Sequence, residues 1–224
     1  MEQNPAPGFE YPFHPVVQAW FEKTLGQPTS TQREGWPPIS KGKNVLVCAP
    51  TGTGKTLTAF LYSLNDLLVQ SLEGRLTEGT QVLYITPLKA LGNDIAVNLQ
   101  RPLEGIRAFC AEMGYAAPPI RVGIRHGDVP PNERQAMLRH PPHLLITTPE
   151  SFYLLLTGSH SAKMLSTVRT VIVDELHALL DTKRGAHLTL SLERLSELCA
   201  EPPQRIGLSA TIALPQAGAS FLCG

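Results

Sequence analysis

Asn44-Val45-Leu46-Val47-Cys48-Ala49-Pro50-Thr51-Gly52-Thr53-Gly54-Lys55-Thr56 runs from an apolar tetrapeptide through a glycine-bearing loop to Lys-Thr at the head of a new pattern. In that pattern Leu57, Phe60, Leu61, Leu64, Leu67, Leu68 and Leu72 keep three-and-four spacing, so the loop joins a buried strand to a helix that lays one face on a sheet. Gly52 and Gly54 allow backbone angles and close approach that a side chain would block. The amides of such a loop and of the helix start point at phosphate, Lys55 reaches the outer phosphates, and the Thr56 hydroxyl can ligate magnesium. Ala49, Pro50, Thr51, Gly52, Thr53, Gly54, Lys55 and Thr56 are therefore the expected binding residues for a nucleoside triphosphate with Mg2+. The general form of this loop has Gly where Ala49 stands, which leaves a glycine-rich turn before a core helix as the bland alternative.

Towards the C-terminus the same alternation of apolar run and helical pattern continues. QVLYIT (81–86) precedes LKALGNDIAVNLQ (88–100); IRVGI (120–124) follows; HLLIT (143–147) precedes PESFYLLL (149–156). TVIVD (170–174) leads to helices through LTLSLERLSEL (188–198), and RIGLSA (205–210) closes the series. Strand and helix in strict alternation predict an α/β fold with a mostly parallel central sheet and helices on both faces. Runs such as TVIVD lack polar alternation, as strands covered on both sides do. In open sheets of this kind ligands bind beyond the carboxyl ends of the strands. Towards the N-terminus, residues 1–27 read as a Pro- and Gly-bearing arm followed by an amphipathic helix around HPVVQAWFEKTL (14–25).

Four features sit at those carboxyl ends. TVIVD ends in Asp174-Glu175-Leu176-His177, where a buried carboxylate needs a cationic or hydrogen-bonding partner. Beside a phosphate loop that partner is magnesium, held by Asp174 and Thr56, while Glu175 faces differently and can orient or deprotonate an attacking water. Both acids could instead cap the next helix, and His177 alone is as readily a surface or core histidine. Thr86-Pro87-Leu88-Lys89 and Thr147-Thr148-Pro149-Glu150 look like two abrupt helix starts, with Thr86 and Thr148 as N-caps and Pro in the first turn. Exposed helix starts suit a backbone phosphate, and two on one edge suggest a nucleic-acid strand across them. Arg125-His126-Gly127-Asp128 is a third contact or a plain loop.

Lys plus Arg and Asp plus Glu both number 19, so no overall positive field draws the chain to a polyanion, and any nucleic-acid contact must be local. No apolar stretch approaches the roughly 18 residues that span a bilayer, and MEQNPAPGFEYP lacks the basic and greasy character of a secretory signal. No membrane association and a cytoplasmic location are expected. Cys48, Cys110, Cys199 and Cys223 are far apart and read as ordinary thiols.

In order, the phosphate loop, Thr-Pro-x-Lys, Thr-Pro-Glu, Asp-Glu-x-His and Ser209-Ala210-Thr211 resemble the first RecA-like domain of second-superfamily DExD/H-box helicases, from about Pro28 to Thr211. PTSTQREGW, LVCAPTGTGKTLTAFL, PPHLLITTPESFYLLL and RGAHLTLSLERL look like the large helicase-related (Lhr) branch in particular. In that superfamily Ala is usual where Ala49 stands; Leu176 departs slightly from the β-branched residue the branch more often carries. The resemblance implies that residues 28–224 form an ATP-binding motor domain and that ATP and Mg2+ are its ligands. It implies that Gln32 reads adenine, although Gln32 also fits a solvent-facing helix position. It implies further that Lys55, Asp174 and Glu175 are catalytic, that His177, Ser209 and Thr211 couple ATP state to the nucleic-acid side, and that Thr86, Lys89, Arg125 and Thr148 touch DNA or RNA backbone. Movement 3′ to 5′ on DNA or RNA:DNA duplexes, in nucleic-acid repair or processing, goes with the branch. Helicases of this superfamily close ATP against a second RecA-like domain that supplies arginines. The chain stops soon after Ser-Ala-Thr, so that domain is expected to be absent and the fragment nearly inactive by itself. A P-loop ATPase without a nucleic-acid partner competes with this, but neither Asn-Lys-x-Asp nor an LSGGQ-like signature is present. A non-catalytic module with a decayed site competes too, although Lys55, Thr56, Asp174 and Glu175 are all retained.

Overall fold

In the computed structural model of the chain, residues 10–87, 89–210 and 215–223 are described, with 89–98 described by backbone alone. Six short strands, β1 (Val45–Cys48), β2 (Val82–Ile85), β3 (Val122–Arg125), β4 (Leu144–Thr147), β5 (Thr170–Val173) and β6 (Gln204–Ser209), form one sheet in the order β1-β6-β5-β2-β4-β3. Every neighbouring pair is parallel. Each strand coincides with an apolar run of the sequence to within a residue, so the α/β expectation is met.

Alternation along the strands separates two cores. Val82 and Tyr84 face one side with Ile146, Ile172, Ile206 and Leu208, beneath α1 (Pro15–Leu25), α2 (Ser30–Ser40), α3 (Lys55–Leu72) and α4 (Lys89–Glu112). Leu83 and Ile85 face the other side with Leu145, Val171 and Val173, beneath α6 (Pro149–Thr157), α7 (Ser159–Leu165) and α8 (Lys183–Leu198). Phe60, Leu61, Leu64, Leu67 and Leu68 of α3 are buried, as their spacing requires. The four cysteines are free thiols.

The helices depart from the sequence reading in two ways. α4 continues through Pro102 to Glu112, past the expected end near residue 100. Burial of Leu99, Leu103, Ile106 and Cys110 along one stripe outweighs the amide lost at proline. Helices α5 (Pro131–Arg139), α7 and α9 (Pro215–Cys223) were not foreseen. α5 buries no residue, so its sequence carries no apolar stripe to reveal it.

One glycine on the second face is sterically required. A Cβ at Gly185, in the first turn of α8, would meet the Leu179 carbonyl oxygen at 2.0 Å. Gly185→Ala is expected to destabilise the domain by about 1–3 kcal/mol through displacement of α8 from the turn that follows β5, an effect that urea denaturation would read.

Candidate active site at the strand ends

The phosphate loop leaves the carboxyl end of edge strand β1, where the Ala49 N–H donates to the Ser209 carbonyl at 3.2 Å. Gly52 and Gly54 take φ of +81° and +85°, in the left-handed region that glycine enters without strain. Gly54 is the N-cap of the 18-residue α3 and supplies no side-chain cap, so the first amides of that helix remain available to an anion. The Lys55 Nζ, on a largely buried side chain, donates to the Ala49 and Pro50 carbonyls at 2.5 and 2.8 Å. An ammonium has three donors, so one is left for a phosphate oxygen.

α2 braces this loop. Thr29 caps α2, with the Gln32 N–H donating to Thr29 Oγ1 at 3.3 Å and the Thr29 N–H donating to Gln32 Oε1 at 2.9 Å. Thr29 Oγ1 also donates to the Thr53 carbonyl at 2.9 Å. A Cβ at Gly54 would lie 2.8 Å from Gln32 Nε2, so the glutamine amide is seated against the loop. At 4% exposure Gln32 is not solvent-facing. Its carbonyl is committed to the cap, which leaves Nε2 as the group able to address a base. The sequence reading passed over Thr29, although Thr-x-x-Gln is a legible capping-box pattern.

The carboxylates lie two strands away, across β6. Val173 is level with Gly207, and Cys48 with Ser209, so Ser209 stands between the phosphate loop and the residues that follow β5. Asp174 continues the alternation of Ile172 and points to the α3 side, where Lys55 and Thr56 begin. It is 6% exposed. The Glu175 N–H donates to its Oδ1 at 2.8 Å, and the Tyr84 hydroxyl donates to its Oδ2. Burial pushes the Asp174 carboxyl above the usual carboxylate range; the Tyr84 and Glu175 hydrogen bonds and the Lys55 charge oppose this. The Tyr84 phenol is pushed well above its ordinary value by burial and then by Asp174.

Glu175 has a left-handed backbone, φ 49° and ψ 42°, rare for a residue with a long side chain and a recurring mark of functional turns. It ends β5 sharply and aims its carboxylate at His177, with Nε2 to Oε2 at 3.3 Å. His177 lies in a 3-10 turn (Leu176–Ala178) and its Nδ1 accepts the Ala210 N–H at 3.2 Å, with Ser209 Oγ at 3.4 Å. An accepting Nδ1 leaves the proton on Nε2, directed at Glu175. Glu175, His177 and Ser209 therefore form one continuous chain. Thr211 lies outside the described residues.

On the far half of the sheet, Ile85, Thr147 and Arg125 share one register level, so Thr86, Thr148 and Arg125 line one edge. Thr148 caps α6 as expected, accepting the Ser151 N–H at 3.4 Å, with Pro149 in the first turn. The expected cap at Thr86 is not formed: α4 begins at Lys89, and the Thr86 hydroxyl is buried without a hydrogen-bond partner among the described residues. The Lys89 side chain lies outside the described residues. Arg125 is half-buried beside Arg134, whose Nε is likewise buried without a partner; burial and then the Arg134 charge hold the Arg125 pKa down.

No helix among the described residues is long and apolar enough to cross a membrane. Residues 29–218 match the DEAD/DEAH box helicase family. Over 212 residues the chain is 52% identical to the Lhr helicase/probable uracil glycosylase of Mycolicibacterium smegmatis, covering 95% of this chain and 14% of that protein. It is 49% identical to the ATP-dependent helicase Lhr-Core protein 2 of Thermococcus barophilus, covering 93% and 24% respectively. The chain thus spans between about a seventh and a quarter of the length of these relatives. The structure of Mycobacterium smegmatis helicase Lhr bound to ssDNA and AMP-PNP superposes with a TM-score of 0.89 at 51% identity, over 95% of this chain and 26% of that one. That of the yeast DEAD-box splicing factor Prp28, 19% identical with a TM-score of 0.76 over 98% of this chain and 50% of that one, shares the RecA-like fold alone. With its phosphate loop, Asp-Glu-Leu-His turn and parallel sheet, the chain belongs to the DEAD/DEAH box helicase family.

Proposed function

We propose that this chain is the ATP-binding motor domain of an Lhr-like nucleic-acid helicase, working in the cytoplasm within a longer protein. In this reading residues 28–224 form the motor unit, residues 1–27 are the arm and helix that precede it, with α1 packed on the core, and a second RecA-like domain closes the nucleotide site. The observation that carries the proposal is one rim at which Thr56, Asp174 and Glu175 line a common cavity, the loop-anchored Lys55 acts electrostatically on Asp174, and Glu175, His177 and Ser209 form a chain.

Gly52, Thr53, Gly54 and the neighbouring loop residues would cradle the phosphates through their amides, and Lys55 would place its remaining donor on the outer phosphates. Gln32 would address adenine through Nε2. The donor set suits magnesium: a buried carboxylate and a hydroxyl, with no group of three or more His, Cys, Asp or Glu assembled among the described residues to form an all-protein cage. Asp174 and Thr56 would hold the ion, which supplies positive charge against the triphosphate oxygens. Glu175 would orient the attacking water and accept its proton as the new P–O bond forms and the β–γ bridging bond breaks. His177 and Ser209, with Thr211, would relay the change at Glu175 along β6.

At the other edge Thr86, Arg125 and Thr148, with Lys89, would contact a DNA or RNA backbone. Support comes from two half-buried cations side by side at that edge, Arg125 and Arg134, which suit a phosphate. Backbone contacts give little sequence preference; movement 3′ to 5′ and DNA or RNA:DNA duplexes are proposed from the Lhr relatives alone. In the full-length protein, ATP turnover is expected to rise at least about tenfold with single-stranded DNA or RNA, about 1.4 kcal/mol off the barrier. Turnover indifferent to nucleic acid would favour a P-loop ATPase of another kind.

A further inference from the structure

Tyr84 belongs to none of the sequence motifs, yet it touches one of the groups assigned above. It is fully buried in the middle of β2, level with Ile172 of β5 and Ile146 of β4. Strand alternation turns it to the α3 side, and Asp174, two residues beyond Ile172, faces the same way. The phenol is long enough to span that offset. Its hydroxyl donates to Asp174 Oδ2, and Asp174 lines one cavity with Thr56 and Glu175. With Glu175 N–H on Oδ1, both oxygens of the carboxylate are held from outside its own side chain.

This is more than the satisfaction of a buried tyrosine. A buried phenol needs one partner for its single proton, and a backbone carbonyl would serve. Here the partner is a carboxylate that faces, across one cavity, Thr56 in the first turn of α3. Carboxylates that bind metal are commonly oriented by such outer hydrogen bonds.

We propose that Tyr84 is a positioning residue for the magnesium end of the site, fixing the Asp174 carboxylate relative to Thr56 so that the two hydroxyl and carboxylate donors are presented together. This rests on the reading in which Thr56 and Asp174 hold the ion. Tyr84→Phe removes one hydroxyl and keeps the ring in the core; a melting curve checks that the fold is kept.

The test uses the full-length protein and a fluorescent ATP analogue, titrated with MgCl2 and, separately, in EDTA. Tyr84→Phe is expected to raise the Mg2+ concentration for half-maximal binding by about tenfold, the lower end for loss of an outer partner of a metal ligand, while affinity in EDTA stays at the wild-type value. A purely packing role would weaken both arms equally, and that result overturns the proposal, as does an unchanged Mg2+ response. Asp174→Asn separates the two levels of inference. If it loses the Mg2+ response and Tyr84→Phe keeps it, Tyr84 is not a positioning residue; if Asp174→Asn itself responds as wild type, the magnesium assignment falls and Tyr84 with it.

Discussion

Glu175→Gln in the full-length protein is expected to bind ATP as the wild type does and to turn it over at least about a hundredfold more slowly, the lower end for loss of a general base. The amide is the same shape as the carboxylate and can still accept a hydrogen bond from His177 Nε2, now 3.3 Å from Glu175 Oε2. It cannot take a proton from water. The left-handed backbone at Glu175 is set by the turn rather than by the charge, so the substitution adds little strain of its own. Phosphate release measures turnover and equilibrium titration measures binding. Unchanged turnover would remove Glu175 from the role assigned to it, and loss of both together would point to a collapsed turn instead.

Lys55→Ala should show the opposite division, with binding and turnover failing together. The ammonium is anchored by two loop carbonyls, and its charge is felt at Asp174. Removing it deletes a charge-assisted contact to phosphate, about 1.5–3 kcal/mol, which is about ten- to a hundredfold in ATP affinity. It also leaves the buried Asp174 without an opposing charge on that side. Loss of one preorganised electrostatic group lowers turnover by a further factor of about a hundred or more. Wild-type affinity in Lys55→Ala would mean that the loop amides alone hold the nucleotide and that Lys55 is structural.

The pair of substitutions separates groups that hold the triphosphate from the group that acts on water, and Tyr84→Phe isolates the metal end between them. His177 stands at the outlet of this set. It is held by the Ala210 amide and directed at Glu175, the path along which the proposed coupling to β6 would run.

Local patterns along the chain were sufficient for the phosphate loop, because strand, glycine turn, Lys-Thr and helix are covalent neighbours with a short-range signature. The same holds for the six strands, whose apolar runs are unbroken because both faces are covered, and for the Thr148 cap. Thr29, by contrast, carried a readable pattern whose role in bracing the loop depended on Thr53, 24 residues away. Helix α5 is invisible because no residue of it is fully buried and it carries no apolar stripe.

The fold class and the chemical groups, those able to cradle phosphate, ligate a hard cation or act as a base, can be read along the chain. Which of them meet is settled by packing. The order β1-β6-β5-β2 sets Ser209 between the loop and Glu175, and sets Tyr84 against a carboxylate 90 positions further on. Gln32, free by its sequence to face solvent, is turned inward and half-committed by its own cap. The physical reason is that a strand buried on both faces carries no alternation to announce its neighbours. Its partner and register follow from crossover packing of helices far apart in the chain, and the chemistry at the rim is assembled by that packing.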